Sequence, residues 1–195
     1  MESRFGVLDG IIRTRVGYAG GKAENPDYGH IGDHTETVQV DYDPGRITYE
    51  ELLVEFWEGH NPRERAWSRQ YMNAVFYHNE QQRRAALASK AKVEEKTGRT
   101  VHTQILPIRS FTLAEAYHQK YMLRQNTDLS WHFKRIYPNL NDFINSTAVT
   151  RLNGYVGGYG KLSQLERELA ALGISEIIQK NLVKRVRRSG RHFFD

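Results

Sequence analysis

The sequence predicts an α+β fold, because short strands alternate with amphipathic helices along a chain of 195 residues. The strands are half-polar rather than wholly apolar, which favours a mixed or antiparallel sheet in a two-layer domain. With 39% hydrophobic residues, the chain is long enough to bury a compact core of its own. One catalytic or binding domain is therefore expected, with room for a small appendage.

Four segments have the residue pattern of strands. The clearest is 35–42, where Glu36 lies on the same face as the apolar Val38 and Val40. The others are residues 12–18, closed by a Gly-Gly turn, residues 74–77, and residues 103–106, which a proline ends. The pattern of residues 35–42 therefore places a carboxyl group on the apolar side of a strand.

Helix starts are predicted from side chains that can cap them. A Ser or Thr side chain can accept a hydrogen bond from an unpaired backbone amide, while a Glu three residues later reaches back to the cap. Three pairs have this spacing, namely Thr48 with Glu51, Thr112 with Glu115, and Ser163 with Glu166. Asn79 predicts one more helix start, and Gly98 predicts the end of that helix. A helix is therefore expected after each of the four caps.

The chain divides into three regions by composition. Residues 1–125 contain most of these elements and form the main domain. In residues 126–160 the periodicity weakens and Gly-Tyr pairs appear, which predicts irregular chain wrapped on that domain. Residues 161–195 have apolar stripes at helical spacing and are basic, with eight Lys or Arg against four Asp or Glu. They are expected to form a helical, basic extension that frays over 189–195.

Composition excludes several classes of function. The sequence contains no cysteine, which excludes disulfides, thiolate metal sites and a thiol nucleophile within these residues. It also lacks the H-E-x-x-H, P-loop, dinucleotide-binding and G-x-S-x-G motifs, so neither a metal nor a cofactor is expected. No long apolar run or signal segment is visible, and we expect a cytoplasmic protein without a membrane or nucleic-acid partner. An alternative for the basic extension is a docking helix for an acidic partner.

Three side chains are candidates for chemistry. Glu36 on an apolar face would be costly as an unpaired charge, and a neutral carboxylic acid in a dry, tyrosine-lined pocket can donate a proton to a developing oxyanion. The alternative, which the pattern alone favours, is a strand-end Glu turned to solvent. Tyr28 lies on the loop that leads into the Glu36 strand, and Tyr71 precedes the strand at 74–77. A phenol can hydrogen-bond a polar substrate atom while its ring packs on an apolar part.

A series of motifs along residues 1–125 then carries a family resemblance. The motifs are RTRVGYAGG at 13–21, NPDY at 25–28, DHTE at 33–36, YDP at 42–44, ITYEELL at 47–53, FWEGHNP at 56–62, SRQY at 68–71 and AEAYHQKY at 114–121. In order and spacing they resemble the A-type methionine sulfoxide reductases. The chain from about 126 is similar to an extension found in some members.

The resemblance implies a ferredoxin-like α/β plait core and reduction of the S epimer of methionine sulfoxide, free or in proteins, as repair of oxidative damage. In that family a cysteine attacks the sulfoxide sulfur and becomes a sulfenic acid, which thioredoxin, a glutaredoxin-type protein or small thiols reset. Glu36 matches the acid that protonates the sulfoxide oxygen, and Tyr28 and Tyr71 match the tyrosines that bind it. No metal or bound cofactor is implied.

Two departures from the family pattern follow from the same comparison. The family has an Asp five positions before the tyrosine that matches Tyr71, where this chain has Ala66 and where Trp67 is expected to pack instead. The nucleophile motif G-C-F-W-G would lie upstream of Met1, so the first strand is expected to be truncated and this chain alone inactive. We hypothesise that the upstream nucleophile is cysteine or selenocysteine. The alternative is a catalytically dead remnant that binds methionine or methionine-sulfoxide segments.

Overall fold

The computed structural model describes residues 1–189, and these contain both strands and helices. The strands are β1 (Ile11–Ala19), β2 (Thr35–Tyr42), β3 (Ala74–Tyr77), β4 (Gln104–Pro107) and β5 (Phe111–Leu113). The helices are α1 (Glu2–Gly6), α2 (Tyr49–Glu58), α3 (Glu80–Thr97), α4 (Tyr121–Arg124), α5 (Thr127–Ile136), α6 (Leu140–Asn145), α7 (Thr147–Val156), α8 (Leu162–Glu168) and α9 (Glu176–Ser189), with a 3-10 turn at Leu169–Leu172. The predicted α+β class and helical C-terminal part are confirmed. Apart from Ser189, the stretch expected to fray lies outside the described residues.

The strands form two small sheets. In the three-stranded sheet the order is β2-β1-β5, and β1 runs antiparallel to β5 with Tyr18 opposite Thr112. In the two-stranded sheet β3 runs parallel to β4, with Val75 opposite Ile105. The four strands predicted from the residue pattern are confirmed to within one residue, whereas β5 was not predicted.

The chain divides into two compact units. The first unit comprises Met1–Arg15, Val40–Asp43 and the chain from Ala116, and the second comprises Val16–Gln39 and Pro44–Glu115. In the second unit, Leu53 of α2, Val75 of β3 and Ala86 of α3 are buried together, and Tyr49, Phe56, Trp57 and Ile105 pack around them. This small core is where two helices cover the parallel sheet.

The capping box predicted at Thr48 is formed. The hydroxyl of Thr48 accepts a hydrogen bond from the backbone amide of Glu51, and the Glu51 carboxylate accepts one from the backbone amide of Thr48. At α3 the Asn79 side chain accepts from the amide of Gln82, and Gly98 ends the helix in the left-handed conformation. Both caps follow from sequence because each involves residues at most three positions apart.

Replacing Thr48 by alanine is expected to lower the free energy of unfolding by about 1 kcal/mol, because the first turn of α2 loses its cap. The control is Ser163→Ala. A capping box was predicted there too, but α8 begins after Lys161 and Ser163 lies inside the helix. Urea denaturation followed by circular dichroism measures both variants, and equal shifts in the two would contradict the assignment of the cap.

His60 provides a pH-dependent contribution to the stability of the second unit. Its Nδ1 lies 2.8 Å from the carbonyl oxygen of Phe56 and its Nε2 lies 3.0 Å from the hydroxyl of Thr103, so a neutral ring donates to the first and accepts from the second. Burial lowers the pKa of His60 below its ordinary value of 6.5, although the hydrogen bond to Phe56 opposes the shift. The folded protein therefore holds the histidine proton less tightly than the unfolded chain does.

The lowered pKa of His60 makes the folded protein less stable as the pH falls. Stability from this group is fully present above pH 6.5 and is lost as pH falls below 6.5 towards the folded-state pKa, because only the unfolded chain gains the proton there. We expect His60→Gln to flatten the loss of stability on mild acidification, measured as urea midpoints against pH. The matched control is His78→Gln, the same substitution at an exposed position of the same unit, and an equal effect of the two substitutions would contradict the role of His60.

The first unit is built on a larger apolar core. Its buried members are Val7, Leu123, Leu129, Phe133, Phe143, Ile144, Val149, Leu152, Tyr155, Val156, Leu165, Leu172, Ile174, Leu182 and Val186. Helix α1 packs on α7 at very short range, because a Cβ added at Gly154 would lie 2.3 Å from a Val7 methyl carbon and 2.8 Å from the Ser3 carbonyl oxygen. Glycine at 154 is thus required for close packing of two helices.

A charged pair is buried in the same unit. The Nζ of Lys120 donates to Glu2 at 2.8 Å, to the Thr14 hydroxyl at 2.7 Å and to the Thr14 carbonyl. The other oxygen of the Glu2 carboxylate accepts from the backbone amide of Lys120 at 2.9 Å. Burial lowers the pKa of Lys120, and the negative charge of Glu2 opposes this shift. Every polar atom of this pair has a partner, as burial of charge requires.

Three expectations about secondary structure were wrong. Residues 126–160, predicted to be irregular, contain α5, α6 and α7. Thr112 does not begin a helix but lies in β5, where it pairs with Tyr18 of β1. Ser163 does not cap α8, which begins one residue earlier at Leu162. At Thr112, strand pairing with β1 replaced the helix that the capping pattern predicted. At Gly154, close packing against Val7 and Ser3 accounts for a glycine inside a helix.

Helices long and apolar enough to cross a membrane are absent from the part of the chain that the structure describes. The same residues contain no group of three or more metal-binding side chains arranged to hold an ion.

Candidate active site

Glu36 and the two candidate tyrosines lie together in the second unit, and Gln70 joins them. The side-chain amide of Gln70 donates to Glu36 at 2.8 Å and to the hydroxyl of Tyr71 at 3.1 Å. The hydroxyl of Tyr71 lies 3.5 Å from that of Tyr28. We call these four residues, Tyr28, Glu36, Gln70 and Tyr71, the polar cluster. Their side chains present a carboxyl group, an amide and two phenols to one small volume.

Backbone hydrogen bonds place Glu36 beside Gln70. The amide of Glu36 donates to the carbonyl of Gln70 at 2.9 Å, and the Thr35 hydroxyl donates to the carbonyl of Arg69 at 3.0 Å. The segment that carries Tyr71 therefore runs alongside the start of β2. Gln70 was not chosen as a candidate from the sequence. The only signal for it was its position in the SRQY motif, directly before Tyr71.

The loop that carries Tyr28 is held by buried and short contacts. His34 is 1% exposed, and it accepts from the amide of Gly21 at 3.2 Å while its other ring nitrogen lies 2.9 Å from the Ala23 carbonyl. The Asp33 carboxylate accepts from the amides of Ala23 and Lys22, and these hydrogen bonds lower the pKa of Asp33. Both ends of the loop are thereby joined before the chain enters β2.

Glu115 fixes the position of Tyr28 itself. One carboxylate oxygen accepts from the backbone amide of Tyr28 at 2.9 Å, and the other accepts from the hydroxyl of the buried Tyr18 at 2.7 Å. The Glu115 side chain was predicted to take part in a helix cap, and it instead links β1 to the loop before β2. This link holds the backbone of Tyr28, whose hydroxyl lies 3.5 Å from that of Tyr71.

The polar cluster is open to solvent rather than enclosed. Glu36 is exposed, and Tyr28 and Tyr71 are 44% and 40% exposed. The expectation of a dry pocket around Glu36 was therefore wrong, and the alternative of a solvent-directed Glu agrees with the structure. The reason is that the β2 face carrying Glu36 is only half covered, since Val38 and Val40 are themselves half-buried.

Tyr71 is held in its protonated form. The hydrogen bond with Tyr28, reinforced by desolvation and by the nearby Glu36 carboxylate, raises the pKa of Tyr71 to about 12. The phenol therefore keeps its proton throughout the neutral range and can donate a hydrogen bond. Such a donor is suited to an oxygen that gains negative charge, while both N–H groups of the Gln70 amide are taken up by Glu36 and Tyr71.

An exposed indole extends the polar cluster on one side. Trp67 is 82% exposed, and its ring packs on that of Tyr71 with the centroids 5.0 Å apart. The sequence predicted that Trp67 packs in place of the missing Asp; in the structure its ring contacts Tyr71 while most of its surface stays exposed. Ala66, at the position of that Asp, offers no polar group.

Comparison with known proteins identifies the family. Residues 1–152 match the family model described as peptide methionine sulfoxide reductase. The chain belongs to this family. Residues 139–187 match a second model, described as the helical domain of selenoprotein methionine sulfoxide reductase A. The resemblance read from the motifs is thus confirmed, and the helical C-terminal part has a family match of its own.

Individual relatives agree with this assignment. The chain is 39% identical over 176 residues to a peptide methionine sulfoxide reductase of Drosophila melanogaster, across 89% of this chain and 70% of that protein. It is 41% identical over 162 residues to peptide methionine sulfoxide reductase A5 of Oryza sativa subsp. japonica, across 79% of this chain and 62% of that protein. It therefore spans between three fifths and three quarters of the length of these two relatives.

Two solved structures are similar in fold and sequence. Mxr1 of Saccharomyces cerevisiae in reduced form is 29% identical with a TM-score of 0.56, covering 64% of this chain and 77% of that chain. Methionine sulfoxide reductase A of Corynebacterium diphtheriae is 31% identical with a TM-score of 0.52, covering 60% of this chain and 65% of that chain.

Proposed function

We propose that this chain supplies the proton donor and the substrate-binding side chains of a peptide-methionine (S)-S-oxide reductase that repairs oxidised proteins. The observation that carries the proposal is the polar cluster, in which Gln70 joins Glu36 to Tyr71 and Tyr71 lies beside Tyr28. Glu36 is the catalytic acid for the sulfoxide oxygen, and the phenols of Tyr28 and Tyr71 bind that oxygen. Family membership supports the same assignment.

The reaction needs a nucleophile that these 195 residues do not contain. A thiolate or selenolate attacks the sulfoxide sulfur, the sulfur–oxygen bond breaks, and the oxygen passes to the nucleophile as a sulfenic or selenenic acid while methionine is released. No side chain in a cysteine-free sequence offers comparable nucleophilicity, so we place a cysteine or selenocysteine outside these residues, on the upstream side. The match of residues 139–187 to the helical domain of a selenoprotein family favours selenocysteine.

The oxidised nucleophile must then be returned to its reduced state by an external reductant. No second thiol is available in this sequence to form an internal disulfide, so small thiols, thioredoxin or a glutaredoxin-type protein would act directly on the oxidised group. No bound cofactor is needed for this cycle, because electrons come from the thiols.

An activity measurement tests the proposal. A longer chain carrying a Gly-Cys-Phe-Trp-Gly segment before Met1 is expected to reduce methionine-(S)-sulfoxide in peptides with dithiothreitol, and the R epimer should not react. The 195-residue chain alone is expected to bind the S-sulfoxide without turnover. If the longer chain folds, as judged by circular dichroism, and reduces neither epimer, the proposed function is wrong. An in-frame TGA codon in the upstream coding sequence, followed by codons for Phe-Trp-Gly, would identify selenocysteine.

The second candidate function is binding without catalysis. It is favoured by one observation, the absence of any cysteine in the chain. In that case the polar cluster would hold methionine or methionine-sulfoxide segments of other proteins, and restoring the upstream segment would leave turnover at zero while binding persists. Activity and binding measured on the same two chains distinguish the two candidates.

A further inference from the structure

Trp67 is an unusual surface residue for which the reaction provides no role. Tryptophan carries the largest side chain, and most of this one faces water, with 82% of the residue exposed. The methionine-sulfoxide oxygen requires only the acid and the donors of the polar cluster. An indole held at the edge of that cluster is thus available for a different part of a substrate.

Contacts hold the indole beside the cluster. The rings of Trp67 and Tyr71 are 5.0 Å apart at an angle of 35°, and Tyr71 accepts a hydrogen bond from Gln70. The exposed ring is therefore tied to the same side chain that would contact the sulfoxide. Consecutive residues of an extended peptide are about 3.8 Å apart, so a residue next to the methionine sulfoxide comes within reach of Trp67.

We propose that Trp67 binds the apolar side chain of the residue that flanks methionine sulfoxide in a peptide, and so makes this site prefer methionine sulfoxide that lies next to an apolar residue. This rests on the proposed function of the polar cluster. The indole face contributes by burying apolar surface, and the contact is lost when the flanking residue is glycine or absent. Trp67 is a specificity-determining residue and takes no part in the bond-breaking step.

The expected effect is a change in relative affinity. We expect the original chain to bind a Leu-flanked acetylated tripeptide of methionine-(S)-sulfoxide about tenfold more tightly than the Gly-flanked one, which corresponds to about 1.4 kcal/mol. Burial of roughly 55 Å² of apolar surface accounts for this at about 25 cal/mol per Å². In Trp67→Ala the two tripeptides should bind equally well, at the affinity that the original chain has for the Gly-flanked one.

Isothermal titration calorimetry on the 195-residue chain measures these affinities without relying on turnover. The matched control is Trp131→Ala, since Trp131 is 68% exposed and lies in the first unit. That variant should keep the tenfold preference. Thermal melts of both variants should match the original protein, because each removes an exposed side chain.

The possible outcomes separate this inference from the proposed function. Binding of both tripeptides with equal affinity by the original chain overturns the role of Trp67 and leaves the function of the polar cluster intact. The same conclusion follows if Trp67→Ala keeps the tenfold preference. If the variant loses affinity for both tripeptides by the same factor, Trp67 only holds Tyr71 in place and does not contact the flanking residue. If the original chain binds neither tripeptide nor N-acetyl-methionine sulfoxide, both the proposed function and this inference are wrong.

Discussion

Replacement of Lys120 by methionine should destabilise the first unit by about 3–5 kcal/mol, the cost of breaking a buried ion pair. The ammonium group of Lys120 has no exposed surface, and the Glu2 side chain is 8% exposed. Removing the cation leaves the Glu2 carboxylate buried without its counter-charge. It would keep only hydrogen bonds from neutral groups, chiefly the Lys120 amide and the Thr14 hydroxyl.

Urea denaturation followed by far-ultraviolet circular dichroism measures the Lys120→Met effect. Lys180→Met is the control, because Lys180 is 74% exposed and its partner Glu176 lies 4.0 Å away in the preceding helical turn. An exposed pair of this type contributes about 0.3–0.5 kcal/mol. The double variant Glu2→Leu with Lys120→Met should lose less stability than the two single changes added together, since no charge stays buried. A midpoint for Lys120→Met that equals the Lys180→Met midpoint would contradict the buried pair.

The second large effect is expected on catalysis. In the longer chain that carries the nucleophile, Glu36→Gln should lower kcat by about tenfold or more, because general acid catalysis typically contributes about 10²–10⁴-fold and glutamine cannot give up a proton. The substitution keeps the shape of the side chain and an oxygen that can accept the hydrogen bond from Gln70. Substrate affinity should therefore change much less than turnover.

Initial rates with a methionine-(S)-sulfoxide peptide and dithiothreitol measure the Glu36→Gln effect. Glu95→Gln provides the control, because Glu95 is exposed on α3 and makes the same change of charge away from the polar cluster. Unchanged kcat in Glu36→Gln would show that Glu36 is not the catalytic acid. Tyr71, which keeps its proton at neutral pH, would then be the candidate proton donor. A loss of binding with unchanged kcat would instead make Glu36 a substrate-binding residue.

Local patterns in the sequence predicted much of the second unit correctly. The cap at Thr48 and the cap at Asn79 depend on residues within three positions, and the strand 35–42 depends on alternation along one segment. The same reasoning failed at Thr112, although its spacing to Glu115 equals that of Thr48 to Glu51. There the chain pairs with β1, and sheet hydrogen bonds take up the backbone groups that a helix would have used.

The helices between 126 and 160 were missed because the apolar periodicity of this stretch was judged weak and because Gly154, which lies in α7, was interpreted as a turn residue. Gly154 lies inside α7, where the absence of a side chain lets Val7 and Ser3 approach. Glycine is found both in turns and where two helices pack closely, and only the segment that packs against it distinguishes the two cases. Sequence periodicity contains no information about that neighbour.

The residues of the candidate site could be named from the motifs, but their surroundings could not. Tyr28, Glu36 and Tyr71 were each chosen from sequence, and the structure brings them together through Gln70. Whether Glu36 is enclosed depends on what covers the face of β2 that it shares with Val38 and Val40, and in this structure that face is half covered. A polar residue on an alternating strand is compatible with either environment.

By itself the sequence determined the family, the two helix caps, four of the strands and the identity of the three candidate site residues. Only the tertiary structure decided that Lys120 pairs with Glu2, 118 positions away, that Gln70 links the acid to a tyrosine, and that the site is open. The physical reason is range: caps and strand alternation depend on neighbours in the chain, whereas burial and charge pairing depend on segments that packing brings together.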